Sequence, residues 1–188
     1  ENGRTNIQGR FLNNKKEGDW KWYDANGGKD MEGQFVQDMQ SGNWTYYYPS
    51  GNIRSKGHFE EGKKSGKWEF FYKDGKKQKE GTYENDEKNG EWIVWFENSN
   101  LLHRGNYTNG KENGFWESWY ENGEKKDAGT YKNGQFEGEW KGWYPNKNIR
   151  YEGTWKNNFK TGSWAYWHSN GIKKAEGKKV TKRKKSQS

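Results

Sequence analysis

Gly90-Glu91-Trp92-Ile93-Val94-Trp95-Phe96 is one of seven versions of the same phrase. The Gly-x-Trp opening recurs at Gly18, Gly42, Gly66, Gly114, Gly138 and Gly162, each 24 residues from the next. A second ladder of Gly-x-aromatic runs between the copies: Gly9 with Phe11, Gly33 with Phe35, Gly57 with Phe59, Gly81 with Tyr83, Gly105 with Tyr107, Gly129 with Tyr131 and Gly153 with Trp155. An eighth copy, at Gly177, has lost its ring and carries Lys179. A fixed period of this length marks an array whose units stack only on their neighbours. The chain is therefore expected to be one repeat domain over residues 1–177, followed by a basic tail over 178–188.

Within each unit the first segment is Trp-x-x-aromatic, as in Trp20 to Tyr23 or Trp92 to Trp95. Four residues bounded by glycine and rich in rings are too short for a helix and suit a strand. Asn26-Gly27, Asp74-Gly75, Asn122-Gly123 and Asn170-Gly171 then read as two-residue hairpin turns, with Ser50-Gly51 as a weaker version. A polar link such as Asn109-Gly110-Lys111-Glu112 leads to the next copy. The expected fold is all-β, an elongated single-layer antiparallel sheet of consecutive hairpins. A turn at Asn26-Gly27 sets Trp20 opposite Gly33 and Gly18 opposite Phe35. A loop centred on Asp38-Met39 would set Gly33 opposite Trp44 and Phe35 opposite Gly42. Every motif ring then faces a glycine on both neighbouring strands, so the glycines are expected to be vacancies over which rings lie. Gly90→Val should accordingly drive a side chain into the space of a ring.

The composition sets outer limits. Val, Ile, Leu and Phe are few, which alone would suggest disorder, but 13 Trp and 12 Tyr oppose that. Each buried ring can remove ~150–250 Å² from water. The absence of cysteine removes disulfide and thiolate chemistry and suits a cytosol and a bacterial exterior equally. No apolar run approaches the ~20 residues of a membrane span, and the start at Glu1 does not resemble a signal peptide. Of the net charge of +8, residues 173–188 carry +7. The body is nearly neutral, which argues against nucleic acid as its partner.

Alternation along the strand assigns the second face. Tyr23, Tyr47, Phe71, Trp95, Trp119, Trp143 and Trp167 form a row there, about 9.6 Å apart if each lies two strands from the next. Around them the parity places Asp30 and Glu32, Arg54 and Lys56, Gln78 and Glu80, and Arg150 and Glu152. Such a row is a platform for a partner. The competing expectation is rings packed on one another in a twisted sheet, with Arg54 or Arg150 lying over a ring.

The phrase resembles the bacterial-type variant of the MORN repeat, G-x-W-x-x-Y-Y-x-N-G followed by E-G-x-Y-x-N-G. Tyr151-Glu152-Gly153-Thr154-Trp155 and Glu80-Gly81-Thr82-Tyr83 match the core most closely, and the likeness covers about residues 3–177. It implies an extended single-layer sheet that serves as scaffold and docking surface; members are sometimes proposed to touch acidic phospholipids, and bacterial variants are often labelled antitoxin-like. Ser99 and Lys147 stand where the pattern has a turn glycine, so those two turns are expected to differ. Choline-binding repeats also string Gly, Trp and Tyr, but with a shorter period.

Candidate chemistry is sparse. His58, His103 and His168 fall at three different places in the period, so stacking does not gather them into a metal ladder. Glu32, Glu80 and Glu152 share one register and read as a solvated column facing Lys and Arg. A single layer offers no cleft for a carboxylate pair. The sequence therefore predicts no catalytic residues, cofactor or metal, and a protein partner held by the aromatic row. Carbohydrate stacking on the row is an alternative. A further one is acidic-lipid association through Lys178, Lys179, Lys182, Arg183, Lys184 and Lys185.

Overall fold

A computed structural model of the protein describes residues 6–174, so the tail and its six basic residues lie outside the described residues. The strands are β1 (Ile7–Leu12), β2 (Lys15–Tyr23), β3 (Lys29–Val36), β4 (Met39–Tyr47), β5 (Ile53–Glu60), β6 (Lys63–Phe71), β7 (Lys77–Glu84), β8 (Glu87–Trp95), β9 (Leu101–Thr108), β10 (Lys111–Trp119), β11 (Lys125–Lys132), β12 (Gln135–Trp143), β13 (Ile149–Lys156) and β14 (Phe159–Tyr166). They form one open antiparallel sheet in sequence order, each strand pairing only with its predecessor and successor. Among the described residues no helix is long and apolar enough to cross a membrane.

Half of the expected register holds. Trp20 faces Gly33 and Gly18 faces Phe35, and the next five units repeat this pairing across the same hairpin. Between units the register is different. Glu32 faces Thr45, but Gln34 faces Ser41 and Phe35 faces Gln40, not Gly42. The cause is a bulge at the Gly-x-Trp glycine. Gly42 sits at φ +67 and Gly90 at φ +72, a conformation that glycine enters freely and other residues rarely adopt.

The two glycine ladders therefore do different work, which corrects the checkerboard. A Cβ on Gly33, Gly57, Gly81 or Gly105 would lie 2.1–2.2 Å from the Cδ2 of the next unit's tryptophan. These are vacancies, and each indole lies flat on one. At Gly66, Gly90, Gly114, Gly138 and Gly162 a Cβ would meet nothing within 4 Å. There the backbone dihedral, and no neighbouring ring, demands glycine.

The turns also exchange roles. The polar links are the two-residue turns, with both central residues at positive φ: Gln37 and Asp38, Asn85 and Asp86, Asn109 and Gly110. The Asn26-Gly27 type is a three-residue loop. Gly27 N donates to Asp24 O, and Asp24 N donates to Gly28 O. The same pair of bonds closes at Ser99 and Lys147, which take φ +69 and +72. Those turns are thus not different in type. Asn98 and Asn146 accept a hydrogen bond from the backbone N of Asn100 and Asn148, and this Asx turn holds the loop without glycine.

One face carries the core. Trp44, Trp68 and Trp92 are each 1% exposed, although the sheet is a single layer. Each indole has glycine backbone beneath it and edge-on rings at its sides: Trp44 meets Phe35 at 5.2 Å and Phe59 at 5.8 Å. Its Nε1 donates to Gln34 O at 3.2 Å, where the bulge interrupts the ladder, and the same bond recurs from Trp68, Trp92, Trp116, Trp140 and Trp164.

Candidate docking surface

The second face is built from the alternate residues of the same strands. Tyr23, Tyr47, Phe71, Trp95, Trp119, Trp143 and Trp167 all lie at intermediate exposure. No ring of the row stacks on another member among the described residues. Cations approach their faces instead: Lys29 at Tyr47, Lys56 at Phe71, Lys77 at Trp95, Arg104 at Trp119 and Lys125 at Trp143, at 5.6–6.0 Å. Arg54 and Arg150 do not serve here. They lie beside the end-of-strand bulges and cover Tyr46 and Tyr151 on the core face.

The row is embedded in a ladder of ion pairs. Glu80 meets Lys77 at 2.6 Å and Lys67 at 3.1 Å; Glu69 meets Lys77 and Lys56 at 3.1 and 3.2 Å; Glu117 meets Lys125 at 2.6 Å and Arg104 at 2.8 Å. Glu152 reaches Lys141 at 3.3 Å. The expected column of carboxylates facing Lys and Arg is present, and Glu69 and Glu117 extend it, but apart from Glu152 its members are largely buried instead of solvated. Burial pushes the carboxyls of Glu69, Glu80 and Glu117 up, but hydrogen bonds from their lysines and Arg104 outweigh this and hold them below their ordinary value of 4.5. The Tyr47 hydroxyl, then Lys29, does the same for Glu32, while burial and Glu32 push Tyr47 up to about 12.

These shifts have a sign. A carboxyl held low favours the fold while ionised; its contribution is complete above about pH 4.5 and is lost as the pH falls through its folded value. His103, lowered by burial and then by Lys88, adds an earlier and smaller loss below its ordinary 6.5. The urea midpoint should decline slightly from pH 6.5 to 5 and steeply below 4.5. A midpoint that rises on acidification would contradict the ladder.

Sequence reasoning missed a latch between successive units of the row. Tyr48 Oη donates to Phe71 O at 2.8 Å, Tyr72 to Trp95 O at 2.7 Å, Tyr120 to Trp143 O and Tyr144 to Trp167 O at 2.9 Å. Each is a tyrosine of one unit holding the backbone of the next unit's row residue, for about 0.5–1.5 kcal/mol. The signal was in the sequence as a tyrosine one residue after the row position in four of the seven units, at Tyr48, Tyr72, Tyr120 and Tyr144. At Phe96 the hydroxyl is absent, so Trp119 O receives no such bond.

Toward the C-terminal end this face has an opening of about 670 Å³ bordered by Ala128, Lys141, Trp143 and Ala165. Phe115, 57% exposed, stands at its margin. Small residues at 128 and 165 occupy the cross-strand positions held by Glu32, Lys56 and Glu69 elsewhere, which leaves the hollow. His58 and His103 sit on β5 and β9, and His168 follows β14; the array does not bring them together. Among the described residues no group of three or more His, Cys, Asp or Glu could hold a metal ion.

A family model described as "MORN repeat variant" matches residues 16–37, 40–61, 64–85, 88–109, 112–133 and 136–157. These six consecutive segments cover most of the chain, and the seventh copy read in the sequence follows them. No curated protein matched the chain.

Proposed function

The chain belongs to the MORN repeat variant family, and on that premise we propose that it works without catalysis, as a scaffold that docks a partner polypeptide along its aromatic row. MORN repeats are a non-enzymatic repeat type, generally associated with protein and membrane binding. The observation that carries the reading is the row itself. Seven rings at one register, from Tyr23 to Trp167, stay partly exposed on a face that also carries the ladder of charged side chains. Aromatic anchors ringed by polar groups are the usual energetic centre of a protein interface. The cations over the rings leave each ring an edge toward solvent and can re-pair with acidic groups of a partner.

The test replaces Trp95, Trp119 and Trp143 together by Ser. Circular dichroism should keep its parental form, while a cross-linked pull-down from the native source loses the proteins retained by the parent. An unfolded triple variant would make the row part of the core and end this reading.

A further inference from the structure

On the core face the array contains its own cation sites: four of the seven capping positions are lysine, Gln40 and Phe136 hold two others, and one carries an acid. Residues 16, 40, 64, 88, 112, 136 and 160 share one register, two before each Gly-x-Trp glycine. Where that residue is lysine, its ammonium caps a tryptophan and the aromatic ring of the following strand. Lys64 Nζ lies 4.6 Å from the Trp68 ring and 5.1 Å from Tyr83; Lys88 lies 4.6 Å from Trp92 and 4.5 Å from Tyr107. Lys16 caps Trp20 and Phe35 in the same way, and Lys160 lies over Trp164 and over Trp155 of the preceding strand. In the fifth unit the ring pair is intact, with Trp116 and Tyr131 at 5.8 Å and 78°. The residue at the capping register, however, is Glu112.

Trp116 has also lost the flanking ring of the preceding unit, and the His103 imidazole lies against it at 5.9 Å instead. Trp22, Tyr46 and Phe70 lean against the next unit's tryptophan at 5.7–6.4 Å; the corresponding residues further along are Val94, Ser118 and Gly142. An opening of about 390 Å³ results, lined by His103, Tyr107, Glu112, Trp116, Asp127 and Tyr131 among others. Asp127 is already satisfied by Arg150 and Tyr151, both at 2.8 Å. Burial and the nearby Glu112 charge push the Tyr107 phenol up to about 12, so it stays neutral. Glu112, which also accepts from the Tyr107 hydroxyl, is the carboxylate beside an aromatic pair that no lysine caps, with Phe136 against Tyr131 at 4.8 Å.

We propose that the Trp116–Tyr131 pocket binds an alkylammonium group, either the lysine side chain of a polypeptide or a small quaternary ammonium, with Glu112 as its counter-charge. The π faces supply the attraction that the neighbouring units satisfy with Lys64 and Lys88, and the carboxylate selects charge. The site lies on the face opposite the aromatic row and stands or falls independently of it.

The full chain is titrated with N-acetyl-lysine methylamide and, separately, with tetramethylammonium chloride, reading the indole N–H resonance of Trp116. That resonance should move and saturate at millimolar concentration, while the Trp92 indole, capped by Lys88, stays in place. A response to the lysine amide alone identifies a polypeptide ligand; a response to tetramethylammonium alone identifies a small quaternary amine. Glu112→Lys restores the internal cap and should weaken binding by about tenfold or more with the fold retained, and Glu112→Gln by several-fold. No movement of Trp116 with either probe, or parental affinity in Glu112→Gln, would overturn the proposal.

Discussion

Gly81→Ala should destabilise the protein by about 4 kcal/mol, more than any exposed change in the chain. The added methyl would stand 2.2 Å from Trp92 Cδ2 and 2.3 Å from Cε2, and neither the strand backbone below nor the rings at its sides can move aside. The indole must lift off. A tryptophan that buries ~150–250 Å² is worth roughly 4–6 kcal/mol at about 25 cal/mol per Å², and partial re-packing returns some of it. Gly90→Ala makes the contrast. It faces open space, so its cost is the left-handed backbone alone, about 1–2 kcal/mol. Gly90→Val is expected to destabilise too, for this dihedral reason and not for the ring clash the periodicity suggests. Urea melts of the two alanine variants decide the matter: if Gly81→Ala melts at or above Gly90→Ala, rings resting on glycine are not what couples the units.

Trp92→Ala is the second large effect, expected at about 3–5 kcal/mol. Trp92 is 1% exposed, donates to Thr82 O at 3.1 Å, and meets Tyr83 edge-on at 5.0 Å and Tyr107 at 6.2 Å. Its loss leaves Thr82 O without its donor and opens a cavity between two units at the middle of the array. Because each unit touches only its neighbours, the coupling between the halves should fall and the melt should broaden into two steps. Trp95→Ala, three residues away, should cost only about 1 kcal/mol. Its ring is partly exposed with Lys77 at 6.0 Å, a cation–π contact of modest worth, and the Tyr72 latch to Trp95 O needs no side chain. Equal losses for the two tryptophans would erase the distinction between core face and docking face.

The candidate surface was only partly legible. Parity alone placed the seven row residues on one face with Glu32, Glu80 and Glu152. Parity fails beside a bulge, and so Arg54 and Arg150, next to the irregular pairs Tyr46/Tyr47 and Gly142/Trp143, cover core-face rings. The pocket at Trp116 was visible as substitutions, Glu112, Ser118 and Gly142, in a repeat that elsewhere has Lys64, Phe70 and Tyr46. Their meaning needed the third dimension. Ser118 faces both His103 and Asp127 across neighbouring strands, an adjacency no spacing along the chain announces.

The 24-residue period by itself determined a sequential antiparallel sheet, because strands joined by tight turns can pair only with their neighbours, and it determined the hairpin register within each unit. Tertiary structure decided which glycine does what. Gly81 and Gly90 are indistinguishable as letters, each two residues before a ring. One is kept bare by an indole from the following strand, the other by its own φ of +72. A dihedral and a contact are properties of the folded backbone, and composition carries neither.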